Sequence, residues 1–284
     1  MTTLDFVDRH TAVTAARRKA QRTYDMAADC YDERPLGFWK RTGRATADRL
    51  RLQPGARVLD VGCGAGASAL PAAAAVGPAG RVIGVDLSEK LLGIARRRAA
   101  EGGLIQAEFR RGDMTVTGFA DGSFDAVISV FSVFFVPNMK GFVAELWRLV
   151  KPGGTLAVTT WGTGFVAPVY ERFNDAVRRE RPDLVSAFNP WDRITTPGAV
   201  ATLFADAGIP RRHIAILAQD ARQPLEDPED WWTIVLGSGL RWTAEALGPD
   251  AAARVRADNV DWIRDNGVDS VAVNAIYATA RKPE

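Results

Sequence analysis

Nine consecutive residues constrain this chain most: Val58-Leu59-Asp60-Val61-Gly62-Cys63-Gly64-Ala65-Gly66. An apolar run of strand length carries a carboxylate, breaks into alternate glycines and leads into the alanine-rich stretch Ser68–Val76. Glycine at a strand-to-helix turn adopts backbone conformations closed to other residues and lets a ligand lie against the main chain. The same alternation then repeats. Arg81-Val82-Ile83-Gly84-Val85 reads as a second strand after the breakers Pro78 and Gly80. Ser88 reads as the N-cap of a helix with Leu91, Leu92, Ala95 and Ala99 on one face. Ala107-Glu108-Phe109 is a weaker strand, and Phe124–Val130 a stronger one. A helix over 139–150 and the turn Pro152-Gly153-Gly154 lead to a strand at Leu156–Thr160. Strands spaced by helices of this length predict an α/β fold with a mostly parallel sheet and right-handed crossovers.

The flanks are less regular. Ala20, Tyr24, Ala27, Ala28 and Tyr31 recur at helical spacing before Pro35, and a short helix fits 41–51. Beyond Trp161 the pattern predicts helices near 166–180 and 197–207, then a strand at Ile214–Ala218. Residues 228–266 read as helical with Pro228 and Pro249 in first turns, and Val271–Ala278 as a closing strand. That makes seven strands, the last two forming an antiparallel edge, with 161–211 and 219–268 inserted as a cap.

Composition narrows the function classes. The 36 basic residues nearly balance 34 acidic ones, leaving a net charge of +2, which argues against a nucleic-acid partner. The clusters Arg17-Arg18-Lys19, Arg96-Arg97-Arg98 and Arg110-Arg111 read as solvated ends of elements. Two cysteines, Cys30 and Cys63, give no disulfide framework and favour a reducing, cytoplasmic setting. His10 and His213 are the only histidines, so no metal centre is expected. No apolar run reaches the roughly 18 residues of a membrane span.

The glycine turn alone admits two ligands. Gly62, Gly64 and Ala67 satisfy a relaxed dinucleotide pattern, and Asp86 follows at the distance a nicotinamide cofactor's ribose requires. Carboxylates, however, recur at three neighbouring strand ends: Asp60, Asp86 and Asp113. A carboxylate at Asp60 opposes an anionic pyrophosphate and tolerates a cationic sulfonium ligand. Asp86 suits ribose hydroxyls and Asp113 an adenine amino group, which together trace an adenosine laid across the sheet.

Five ordered segments carry a family resemblance: Val58–Gly66, Val82–Ser88, Gly112-Asp113-Met114, Asp121–Val127 and Leu149–Gly154. They resemble the motifs of class I S-adenosylmethionine-dependent methyltransferases, in particular the ubiquinone and menaquinone C-methyltransferases and natural-product small-molecule enzymes. The resemblance is tight over 55–160. It implies a Rossmann-like seven-stranded sheet of order 3-2-1-4-5-7-6 with helices on both faces. It also implies a helical lid over 1–52, a cofactor core over 53–160, a helical cap over 161–270 around the sixth strand, and a closing strand over 271–284. Residue by residue, it places Gly62 and Gly64 near the methionine moiety, with Asp60 near its amino group. Asp86 would hold the ribose and Leu87 pack on the adenine, while Asp113 and the Met114 backbone reach the ring. Ser129, Val130 and Phe131 would line the methionine end, with Tyr24 over the cofactor from the lid.

On the acceptor side the expected residues are aromatic: Tyr31, Phe135, Trp161, Trp191 and Trp231. They predict a small, aromatic or apolar methyl acceptor, because an apolar pocket aids a displacement in which the sulfonium loses its charge. No residue stands out as a general base, and none is assigned a catalytic role. Two other readings stay open at this stage: an NAD(P)-dependent oxidoreductase, and a non-methylating enzyme on the same scaffold.

Overall fold

The computed structural model describes residues 3–186 and 188–284, with side chains from Ala15 onward apart from Ala187. His10 therefore lies outside the described side chains. Five strands follow the sequence pattern: β1 (Arg57–Val61), β2 (Arg81–Asp86), β3 (Ala107–Arg111), β4 (Phe124–Val130) and β5 (Val150–Trp161). Later come β6 (Ile214–Gln219), the short β7 (Arg222–Pro224) and β8 (Ser270–Ala272), and β9 (Ala275–Arg281). The main sheet has seven strands in the order β3-β2-β1-β4-β5-β9-β6. With β9 as the seventh core strand, this is the expected order. β1 to β5 pair in parallel, and β9 runs antiparallel between β5 and β6.

Alternation along the strands explains the two-sided burial. On β1, Val58 packs into the apolar cluster on one face with α3 (Ala69–Val76) and α4 (Glu89–Glu101), while Leu59 and Val61 join the larger cluster on the other. That second face is covered by α5 (Met139–Leu149), α6 (Val169–Glu180) and α7 (Pro197–Asp206). Ser88 caps α4 as expected, accepting the Leu91 N–H at 3.2 Å. Helices α8 (Asp230–Leu236), α9 (Arg241–Leu247) and α10 (Pro249–Asp265) fill the stretch expected to be helical. Pro249 opens α10, whereas Pro228 lies two residues ahead of α8.

The first helices bring the N-terminal segment over the sheet. α1 (Thr3–Ala27) begins earlier than its periodicity implies, and α2 (Gly37–Arg49) packs on the turn after β1. Gly43 permits that approach: a Cβ there would lie 2.4 Å from the Ala67 carbonyl carbon.

The expected closing strand is split. Val271 and Ala272 pair with β7, and only from Ala275 does the chain enter the main sheet. Asn274 makes the break, accepting the Ala221 N–H at 3.0 Å and donating to the Thr163 carbonyl at 2.9 Å. β5 also starts earlier than expected, with the turn Pro152-Gly153-Gly154 absorbed as an irregularity in its pairing with β4.

Candidate functional site

The carboxyl ends of β1, β2, β3 and β4 open into one cleft of about 1150 Å³, counting its mouth. This is where an open parallel sheet binds ligands, because the strand order reverses between β1 and β4. The glycine turn forms its floor. Gly62 has φ +67, and a Cβ on it would fall 2.4 Å from the Ser132 Cβ, so no other residue fits. Asp86, at the end of β2, accepts the Gly64 N–H and the Ser88 N–H, each at 2.8 Å. Each carboxylate oxygen retains a lone pair for the cleft. Burial raises the Asp86 pKa, and the backbone N–H bonds oppose that shift.

Asp60 departs from expectation. It is fully buried and does not line the cleft. One oxygen accepts the Ser68 hydroxyl at 2.7 Å; the other has no partner. Burial pushes its pKa up to about 7, against the pull of the Ser68 hydrogen bond, and the nearby Asp86 charge adds to the rise. The carboxyl thus sits beneath the turn, and its charge is not presented to a ligand. Asp113 is at the cleft but engaged. It pairs with Arg17 at 2.9 Å and accepts the Thr115 N–H and hydroxyl at 2.8 and 2.7 Å. Arg17, expected as part of a solvated cluster, instead ties α1 to the third strand end and lines the cleft.

Gly62, Gly64, Asp86, Leu87, Asp113, Met114, Val130, Phe131 and Tyr24 all line this cleft, and so do Tyr31 and Phe135, which the sequence reading put on the acceptor side. Ser129 lies behind it, bonded to the Ser132 hydroxyl at 2.6 Å. Trp161 and Trp191 line a smaller neighbouring cavity with Phe134, Phe165 and the Ser238-Gly239-Leu240 loop. Trp231 lines neither. Its indole donates to Asn259 at 2.8 Å and it packs edge-on against Phe173 in the core. The sequence reading missed Arg17, Gln21, Ser132 and Thr115. Arg17, Gln21 and Tyr24 share a helical stripe, so extending the first helix one turn back would have found two of them. Tyr24 and Tyr31 face the cleft as neutral phenols, their pKa values raised by burial first and by the Asp86 charge.

Fold and cleft fit an adenosyl-binding enzyme, and the comparisons with known proteins give its class as methyl-transferring. A family model described as "Methyltransferase domain" matches residues 58–154. The chain is 32% identical over 255 residues to nocamycin O-methyltransferase of Saccharothrix syringae, covering 84% of this chain and 88% of that one. It is 37% identical over 179 residues to demethylmenaquinone methyltransferase of Listeria welshimeri, covering 58% of this chain and 75% of that one. The fold is that of the YcgJ protein of Bacillus subtilis, with TM-score 0.55 and 21% identity over 86% of this chain and 99% of that one. The chain belongs to the class I S-adenosylmethionine-dependent methyltransferases. Its cofactor is S-adenosylmethionine, and the oxidoreductase and non-methylating readings are set aside. The cleft suits this molecule: acceptor atoms of Asp86 face it, and the glycine turn lines it with Gly62 and Gly64.

Two predictions follow from these carboxylates. Asp86→Ala should weaken S-adenosylhomocysteine binding by about 1–3 kcal/mol in calorimetry, the scale of a lost charged hydrogen-bond partner; unchanged affinity in a folded variant would place the ribose elsewhere. For Asp60 the raised pKa means the folded state holds the proton more tightly than the unfolded one. Its contribution to stability is therefore complete below about pH 4 and declines as pH rises towards the folded pKa. Asp60→Asn removes that decline, so the Tm of the variant should gain on the wild type between pH 4 and 7.5. A constant difference across that range would contradict the buried, protonated state.

Proposed function

We propose that this enzyme methylates an oxygen of a small, apolar, ring-bearing molecule seated in the aromatic cavity beside the cofactor cleft. The cavity carries the reading. Its walls include Trp39, Phe131, Phe134, Phe135, Trp161, Phe165 and Trp191, and it adjoins the cleft along the side chains at the end of β4. Rings of this kind bind flat apolar surface and exclude water from a displacement reaction. The oxygen acceptor is drawn from the name of the relative that matches nearly the whole chain.

Within the cleft, Asp86 holds the ribose hydroxyls, Leu87 packs on the adenine, and the bare backbone at Gly62 and Gly64 runs beside the methionine moiety. Val130 and Phe131 line that end, and the Met114 backbone and the Asp113 carboxylate approach the adenine edge. Asp113 keeps one lone pair for this, on Oδ2, since Arg17 and Thr115 take the rest of its acceptor capacity. Segment 1–52 is a lid: α1 spans the cleft with Arg17, Gln21 and Tyr24 and is fastened through Asp25, which accepts the Ser88 hydroxyl at 2.6 Å. Residues 161–270 form the cap that supplies Trp191 and the Ser238–Leu240 loop. S-adenosylmethionine, when bound, would supply a methyl group on a sulfonium whose sulfur would keep the bonding pair as an already deprotonated acceptor oxygen formed the new bond. The chain's own part is to orient the two molecules and keep water out. No described helix is long and apolar enough to cross a membrane.

With methyl-labelled S-adenosylmethionine and a panel of ring-bearing hydroxy and carboxy compounds, label should enter an apolar, solvent-extractable product as an O-methyl group. Phe135→Ala and Trp191→Ala should raise the acceptor KM roughly ten-fold or more, as loss of a packed aromatic anchor does. Label on carbon or nitrogen alone, or acceptor kinetics indifferent to both substitutions, would overturn the reading.

A further inference from the structure

We propose that the enzyme holds the donor's sulfonium in a cage of aromatic rings, Trp39, Phe131 and Phe135 beneath Tyr24, which selects the cationic donor over its neutral product. This rests on the reading of the two cavities as donor and acceptor sites. Among the described residues, the side chains lining both cavities are Tyr24, Trp39, Phe131 and Phe135, and all are aromatic. A methyl group passing from one cavity to the other crosses this shared wall, so the atom that carries it stands against these rings.

The rings are set at steep angles around the wall. Phe131 stacks on Trp161 with centroids 3.8 Å apart and planes 18° apart, which leaves one face of Phe131 free of that partner. Trp39 meets Phe131 edge-on at 5.5 Å and 74°, and Tyr24 meets Phe135 edge-on at 5.8 Å and 87°. Rings at such angles line the shared wall with edges as well as faces, and a face turned to a compact cation attracts it. The Trp39 indole is anchored to the Gly237 carbonyl at 3.3 Å, which fixes its plane.

Phe131 shows how firmly the wall is placed. Its φ of +51 is a costly conformation for a bulky side chain. Its N–H donates to the Thr159 carbonyl at 2.8 Å, tying the strained residue to β5. Asp86 and Asp113 line the cleft but not the second cavity, bonded to the glycine turn and to Arg17, and the Asp86 charge reaches Tyr24 from the cleft side. The Tyr24 phenol, kept neutral by burial, adds no charge to the wall. Ring faces are thus the groups on the shared wall that can tell a sulfonium from a thioether.

S-adenosylmethionine and S-adenosylhomocysteine differ at this point by one methyl and one positive charge, so their affinities isolate the cage. Both are titrated calorimetrically against the wild type and Phe131→Leu, with the cationic amine analogue sinefungin as a third ligand. Affinity for S-adenosylmethionine and sinefungin should fall about 2- to 30-fold while that for S-adenosylhomocysteine stays within about two-fold. Phe135→Leu, at a half-buried residue without backbone strain, gives the same comparison if Phe131→Leu does not fold. Equal losses for all three ligands would reduce the rings to packing, and unchanged affinities would place the sulfur away from them. The titrations contain no acceptor. Their failure would leave the acceptor reading standing, and failure of the acceptor reading would leave theirs intact.

Discussion

One carboxylate ties the cleft together. Asp86 accepts the backbone N–H of Gly64 from the first turn and of Ser88 from the second, so the ends of β1 and β2 are clasped across the site. Ser88 in turn caps α4 and donates its hydroxyl to Asp25 on α1. The glycine turn, the helix behind it and the helix above it therefore share a single anchor. Such charge-assisted bonds in a half-buried setting are stronger than neutral ones, and they hold the turn in shape before any ligand arrives. A ligand that bonds to Asp86 meets a site already arranged, which reduces the ordering that binding must supply.

The role of Asp60 changes once its surroundings are known. As a residue at a strand end it suggests a charge facing the ligand. In the fold it lies below the turn, fully buried, with a pKa raised to about 7. Its contribution is to the floor: through Ser68 it supports the start of α3. Of the two carboxylates at the ends of β1 and β2, only Asp86 lines the cleft.

Much of the core was legible because β1, β2 and β4 are apolar runs bounded by glycine or proline turns, and local pattern decides such elements. The strand order came from the resemblance, since periodicity says nothing about which strands are neighbours. What escaped was set by partners distant in sequence. Val271–Ala278 reads as one strand, and only the hydrogen bonds from Asn274 to Ala221 and Thr163 split it. Trp231 reads as a pocket residue until Asn259 takes its indole N–H into the core. Arg17 reads as one of a solvated cluster until Asp113 is brought against it by the fold. Phe131 and Trp161, aromatic residues at strand ends, do line cavities, because the chain can turn outward only where the strand stops.

The central claim is that donor and acceptor meet at the aromatic wall between the two cavities. A crystal structure with S-adenosylhomocysteine bound tests it most directly. The account predicts the ribose on Asp86 and the sulfur within about 6 Å of the Phe131 or Trp39 ring centroid, the range of a cation–π contact. A sulfur at the Asp113 end of the cleft, with the adenine against the aromatic wall, would contradict it.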